Sequence, residues 1–405
     1  MLAAMRRADE IKGRVDAVIL TIRDDEKNAV DKRVGPLEQY VGRRTYRVAR
    51  LDGADRALTV ALYRLPEQGN SPAQAAATDA IEDLDPTLIV LVGIAGAVPA
   101  AEFTLGDVLI ATRIADLRVQ ALVAGRLPEL SVRSDRIHAA LADRISNLNK
   151  LQEWASVESI AYSRPAVPLT PDKFTADQAW NKKVCESLEA HFHTPRAPRY
   201  QTAELATTDL LVKDAATVQH WLQAVRKVEG FEMEAAGVLV AAARTDALYP
   251  VLVVRGISDI VGYKRDPEWT AYACHSAAAF AIALLRSGQL EGIGPLRAQP
   301  FEPARDAGIG TPTINAAQPK VAPCASPTGA SLRKLLAASI KTAPHLEAFC
   351  LDYFPEVAAE FTSGMLRTEK ENLLLRMRSP VEILERLRTA YPTPVREYEG
   401  VLEYE

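Results

Sequence analysis

The sequence predicts an α/β domain, a central sheet flanked by helices, followed by a small all-helical domain. Valine-rich apolar runs of strand length, Leu88 to Val92 and Val251 to Val254, read as buried parallel strands. Between Glu268 and Arg286 the spacing turns helical, with Trp269, Tyr272, Ala273, Ser276, Ala277, Phe280, Ala281 and Leu284 along one face. From Gly294 to Ala330 there are seven prolines and no periodicity, a composition that buries no core and marks a spacer. A chain of 405 residues has room for domains on both sides of it.

Along the chain, Ala17 to Thr21 reads as a first buried strand, and Asp24, Asp25 and Glu26 then open a helix where acids favour the positive end of its dipole. Gly69-Asn70 closes the next extended segments. Ser71 is the expected N-cap, with Pro72 at the first helical position of an alanine-rich helix that runs to about Leu84 and is stopped by Pro86. Asp107 to Ala115 predicts another strand. Residues 117 to 200 mix helical patches, such as Ile137 to Leu148, with proline-rich turns.

Past the spacer, Leu332, Leu335, Leu336, Ile340, Leu346, Phe349, Cys350, Leu373 to Leu375, Val381, Leu384 and Leu387 repeat with helical period. The expected organisation is a first domain over 1–290, a linker over 291–330, a helical domain over 331–391 and a tail over 392–405.

Composition excludes several classes. Hydrophobic content of 48% with 25% charged residues is typical of soluble globular protein. A net charge of −4 supplies no field for nucleic acid or an anionic membrane, so neither is an expected partner. Ala17 to Leu20 is too short for a signal core or a membrane span, and the expected location is the cytoplasm. Cys185, Cys274, Cys324 and Cys350 are scattered, with neither zinc-site spacing nor disulfide density. His191 and His193 lack an acid or cysteine partner at metal spacing, so no metal and no cofactor is expected.

The motifs are more specific than any of this. Phe231-Glu232-Met233-Glu234-Ala235-Ala236 and Arg255-Gly256-Ile257-Ser258-Asp259 follow Val90-Leu91-Val92-Gly93-Ile94-Ala95-Gly96 and Leu105-Gly106-Asp107-Val108. In order and spacing, over roughly residues 15 to 288, they resemble the nucleoside phosphorylase and 5′-methylthioadenosine nucleosidase superfamily. The resemblance implies a phosphorylase/hydrolase-like mixed sheet, a purine nucleoside or nucleotide substrate, and self-association into a homo-oligomer.

It also implies roles. Breaking a purine N-glycosidic bond passes through a sugar cation, so a catalyst protonates the departing base, holds the ribose and delivers a nucleophile to the opposite face. By resemblance Asp259 is the general acid, Glu234 binds the ribose hydroxyls, and Glu26 positions water; Met233 packs beneath the ribose, with Glu232 beside it. As an ordinary strand-end cap Asp259, and as ordinary helix-start acids Glu234 and Glu26, would need no such roles. Phe231 is either a ring that stacks on the base or a core aromatic.

Gly93 and Gly96, with Ile94 and Ala95 between them, form a backbone that a ligand can approach closely. Ala206-Thr207-Thr208-Asp209-Leu210-Leu211 resembles the family's base-binding loop, which brings in Leu210 and Leu211. Phosphorylases carry an arginine two residues before the first glycine of the Gly93 motif and a serine or threonine after it. Here those places hold Leu91 and Ile94, which favours hydrolysis. A departure from the family is Gly262, where many members carry a further acid. Arg23, Lys264 and Arg265 are candidates for the ribose 5′ side, where an arginine fork suits phosphate, or else ordinary solvated cations.

In the helical region, Leu346 to Val357, with Ser363-Gly364-Met365 and Arg367 to Leu375, resembles the effector-associated, death-like adaptor domains of bacterial defence and signalling systems. That resemblance implies a protein partner, against the alternative of a bundle that merely oligomerises. The functional expectation is a hydrolase releasing adenine or another purine from a nucleoside or nucleotide such as ATP. A purine nucleoside phosphorylase and a nucleotide-sensing adaptor without turnover are the alternatives.

Overall fold

The computed structural model describes residues 6–121, 128–149, 151, 153–211, 214–244 and 247–297, then most of 332–391 together with Val395. Chain contacts divide it into two compact units, Met1–Glu302 and Pro303–Glu405. Of the linker expected over 291–330, residues 298–330 lie outside the described residues, as do the Ser363-Gly364 pair and all of the tail except Val395.

The first unit runs β1 (Ala17–Thr21), α1 (Asp24–Asp31), β2 (Thr45–Asp52), β3 (Ala57–Arg64), α2 (Asn70–Leu84), β4 (Leu88–Ala97) and β5 (Val108–Asp116). There follow α3 (Ala139–Ser146), α4 (Gln178–His193), β6 (Tyr200–Thr207), α5 (Ala215–Ala224), β7 (Val228–Glu232), α6 (Ala235–Ala242), β8 (Val251–Ile260) and α7 (Pro267–Arg286). Strand β1 pairs parallel with β3 and β4 in one sheet of mixed direction.

Part of that sheet closes on itself. Strand β8 lies parallel to β4 and antiparallel to β5, while β5, β6 and β7 run parallel in turn and β7 returns antiparallel to β4. Closure explains why β4 and β8 are apolar almost throughout: Leu88 to Val92 and Val251 to Val254 are buried, with helices on the outside and ring interior on the inside. Helix α7 covers β8, and Trp269, Tyr272, Phe280 and Leu284 are buried on the predicted face.

Helix α2 ends at Leu84 as the sequence predicts, with Asp85 in the left-handed conformation at φ 44°. Its start is different. Gly69 occupies the N-cap and the helix begins at Asn70, so Ser71 lies inside the first turn. The amides there are met from a distance: Asp209 Oδ1 accepts from Asn70 N at 3.0 Å and from Asn70 Nδ2 at 2.9 Å. A cap brought in from residue 209 outcompetes the local serine.

The first unit also extends past the expected boundary at 290. Leu296–Arg297 pairs antiparallel with Ala247–Leu248, and Arg297 Nη2 bonds Asp85 Oδ1 at 2.6 Å.

In the second unit, α8 (Ala343–Tyr353), α9 (Pro355–Ala358), α10 (Arg367–Met377) and α11 (Pro380–Ala390) surround a core of Leu332, Leu335, Leu336, Ile340, Leu346, Phe349, Leu384 and Leu387. Val381, predicted to share that core, is 40% exposed; Ile383 is buried instead. Pro380 at the start of α11 sets the helix phase, with Ser379 as N-cap, and Val381 falls on the outer side of the first turn. Among the described residues no helix is long and apolar enough to cross a membrane.

Candidate active site

One cavity gathers most of the predicted residues. Glu26 comes from α1, Ile94, Ala95 and Gly96 from β4, and Phe231, Glu232, Met233 and Glu234 from the junction of β7 and α6. Asp259 stands near the end of β8. Leu210 and Leu211 close the rim, 56% and 62% exposed, and Arg23 and Arg265 also line the wall.

Local structure aims these side chains. The pairing of β8 with β4 shifts register between Ile257 and Asp259, so Ser258 is an extra residue in the strand. Such a bulge re-aims the following side chain, and Asp259 turns into the cavity beside Gly96. Its Oδ1 lies 2.6 Å from Ser258 Oγ and accepts from Arg265 Nε at 2.8 Å. Among the described residues Oδ2 carries no such bond.

Glu232 and Glu234 divide two roles that the sequence offered as alternatives for Glu234. The Glu232 carboxylate caps helix α6, accepting from Glu234 N at 3.0 Å and from Ala235 N at 2.9 Å. Glu234 stands at the N-cap position but makes no side-chain cap bond. Its Oε2 accepts from Arg255 Nη2 at 3.0 Å and its Oε1 from Gly69 N at 3.4 Å. Ordinary helix-start chemistry therefore belongs to Glu232, and the Glu234 carboxyl is left at the cavity wall.

Glu26 is held by three backbone amides: Ile22 and Arg23 donate to Oε2, each at 2.9 Å, and Ile94 donates to Oε1 at 3.0 Å. A carboxylate has roughly four acceptor positions, so about one remains. Burial pushes the Glu26 carboxyl above its usual range, against the pull of Arg255 and the amides.

Arg255 is the residue to which the sequence reading assigned no task. It is fully buried, and its Nη2 bonds Glu232 Oε2 at 2.5 Å as well as Glu234. Burial works against its charge, but Glu232, Glu234 and Glu26 outweigh it and hold the guanidinium above its ordinary pKa. A signal was present. A charge within Val251 to Ile257 sits in an otherwise apolar buried strand, and a buried charge must be paired with acids from elsewhere.

Three carboxyls around one guanidinium exceed its charge. Burial, with Glu232 and Glu26 nearby, pushes Glu234 up to about 7 despite Arg255. Crowding of acids in a buried site thus favours the protonated form of Glu234.

Several predicted residues take other places. Gly93 does not line the cavity: a Cβ there would lie 2.2 Å from Arg255 Nη1 and 2.6 Å from Glu26 Oε1, so the glycine admits those side chains rather than a ligand. Lys264 is exposed outside the cavity, its amide bonded to Lys173 O at 2.7 Å, because the turn after β8 carries it away. Arg265 turns back to Asp259, at 2.7 Å, rather than toward a 5′ site. Arg23 is engaged by Asp25, Nη2 to Oδ2 at 2.6 Å.

Asp107 is buried against Arg196 at 2.5 Å and is structural. Leu91 is fully buried, and the Ile94 amide is used by Glu26. Sequence reasoning missed Ile22, Gln68, Thr208, Val218 and Val261, which complete the wall. Of these only Thr208, inside the quoted loop, had a local signal. No group of three or more metal-binding side chains occurs among the described residues.

Comparison with known proteins finds similar chains. A death domain-containing ATP nucleosidase from Amphimedon queenslandica is 22% identical over 284 residues, which cover 68% of this chain and 49% of that protein. The chain thus matches about half the length of that relative. Similar solved structures include 5′-methylthioadenosine/S-adenosylhomocysteine nucleosidase from Neisseria meningitidis, at 17% identity and a TM-score of 0.42, covering 67% of this chain and 98% of that one. S-adenosylhomocysteine nucleosidase from Streptococcus pyogenes is similar at 16% identity and a TM-score of 0.46, covering 68% and 97%. The profile of the phosphorylase superfamily matches residues 28–286, well over half of the chain, and the protein belongs to that superfamily.

Proposed function

We propose that the first unit hydrolyses the N-glycosidic bond of a purine nucleoside or nucleotide, releasing adenine, with ATP among its substrates. The observation that carries this reading is the meeting of Glu26, Glu234 and Asp259 on one cavity, above a buried Arg255. Asp259, with Oδ1 occupied by Arg265, donates a proton from Oδ2 to the leaving base. Glu234 accepts from the ribose hydroxyls and supports the positive charge that builds on the sugar. Glu26, raised by burial and with an acceptor position spare, holds the attacking water and takes its proton.

Phosphorolysis fits less well. Among the described residues, Arg265 on the cavity wall is paired with Asp259, and apolar Leu91 and Ile94 stand where phosphate ligands would be. The relative's name makes ATP the first compound to test. The second unit, in this reading, takes a protein partner and couples base release to a bacterial defence or signalling system. The chain acts in the cytoplasm as a homo-oligomer.

The test is incubation of the full chain with ATP, AMP, adenosine and methylthioadenosine, with and without inorganic phosphate, followed by chromatography and mass spectrometry. Free adenine and an unphosphorylated anomeric carbon, independent of phosphate, are expected. Ribose 1-phosphate formation overturns hydrolysis, and intact substrates throughout, with purine binding by calorimetry, establish the sensor alternative.

A further inference from the structure

A second cavity adjoins the first and shares Ile22, Arg23 and Gln68 with it. Its wall adds Arg64, from the end of β3, and the acids Asp24, Asp25 and Glu67. The join lies beside the sugar-binding carboxyl: Glu234 Oε1 accepts from the amide of Gly69, the residue after Gln68. A ribose held at Glu234 therefore has the second cavity next to it.

Arg64 is engaged only by exchangeable partners. Arg64 Nε lies 3.2 Å from Asp24 Oδ1, and the Asp24 side chain is 77% exposed. Arg64 Nη1 reaches the Ile22 carbonyl at 3.3 Å, while Nη2 has no hydrogen bond among the described residues. Asp25 holds Arg23 bidentately through Nε and Nη2 at 2.9 and 2.6 Å, and Arg23 Nη1 has no hydrogen bond among the described residues, so it is the group that can meet a phosphate. Exposed ion pairs stabilise little, so a phosphate offering several strong acceptors displaces them at small cost. Asp24 and Glu67 stand in solvent, where salt screens them. The Gln68 amide, with no hydrogen bond among the described residues, supplies a neutral donor at the join.

We propose that this second cavity is a 5′-phosphate subsite: the phosphate chain of a nucleotide leaves the catalytic cavity over Ile22 and Gln68 and is held by Arg23 and Arg64. The subsite replaces the expected trio of Arg23, Lys264 and Arg265, of which only Arg23 reaches it. The proposal rests on the glycosidase reading for the placement of the ribose, and makes the substrate class 5′-phosphorylated.

Calorimetry on full-length Asp259→Asn, which slows consumption of ligand, tests it with adenosine, AMP and ATP in magnesium buffer. We expect AMP and ATP to bind at least about tenfold more tightly than adenosine, as several charge-assisted bonds would give. Arg64→Gln in the same background is expected to erase that advantage, and Arg64→Lys to restore part of it. Equal affinities for adenosine and ATP, or a nucleotide preference unmoved by Arg64→Gln, overturn the subsite. A preference that Arg64→Gln erases, in a protein whose wild type cleaves nothing, overturns the glycosidase reading and leaves the subsite standing.

Discussion

Arg255 and the acids around it set the properties of the site. Asp259→Asn is expected to lower turnover by more than about a hundredfold, since general-acid assistance is commonly worth that much, without moving the unfolding midpoint. Near-normal turnover would show that the base leaves by another route. Glu234 makes a pH prediction with a definite sign. Its carboxyl is raised in the folded state to about 7 from an ordinary 4.5, so the folded chain holds a proton that the unfolded chain releases earlier. Stability from this group is greatest below the lower value, falls as pH rises through that window, and stays low above about 7. At roughly 1.4 kcal/mol per pKa unit the swing is on the order of 3 kcal/mol. Glu234→Gln has no proton to lose, so urea unfolding at pH 5 and pH 8 should show a smaller loss than in wild type. Tryptophan fluorescence reads this unit, since Trp154, Trp180, Trp221 and Trp269 all lie in it. An identical pH slope in the variant would remove Glu234 as its cause.

Elements meet at the site through two close approaches. Helices α2 and α6 cross where Gly237 faces Asn70: Gly237 N donates to Asn70 Oδ1 at 2.9 Å, and a Cβ would fall 1.9 Å from the Asn70 carbonyl oxygen. Gly237→Ala is therefore expected to destabilise by about 1–3 kcal/mol, the usual cost of overpacking, in spite of alanine's better helix propensity. A neutral or stabilising result by thermal unfolding would mean that the helices slide apart freely. The same contact positions Glu234, three residues before Gly237, so activity should fall with stability. Gly93→Ala, which presses on Arg255 and Glu26, should cost turnover even where the fold survives. The beginning of α2 shows why such details escape a local reading. Ser71-Pro72 is a sound capping signal, but Asp209, brought close by folding, satisfies the Asn70 amide first.

At the scale of the whole chain, each unit has its own apolar core. One is built on β4, β8 and α7, the other on Leu332, Leu346, Phe349 and Leu387. A fragment of residues 1–302 is accordingly expected to fold and to retain base release, measured by size-exclusion chromatography and adenine formation. Truncation at 290 is expected to do worse, because it removes the Leu296–Arg297 strand and the Arg297–Asp85 pair. Aggregation of the 1–302 fragment would show that it depends on the helical region.

Local order along the chain, as sequence alone, determined the α/β class, the buried strands β1, β4 and β8, the long helix α7 and the separate helical region. Hydrophobic period and motif order are properties of neighbours in the chain, and they need no tertiary information. The same motifs brought Glu26, Glu234 and Asp259 forward together. Folding decided the rest: ring closure of the sheet, the bulge at Ser258 that turns Asp259 inward, the exclusion of Lys264, and the return of Arg265 to Asp259. It also made Arg255 the shared counter-charge of Glu232 and Glu234, just over twenty residues away, and of Glu26, over two hundred away. Charge balance in a dry interior depends on distances across space, and those exist only once the chain has closed around them.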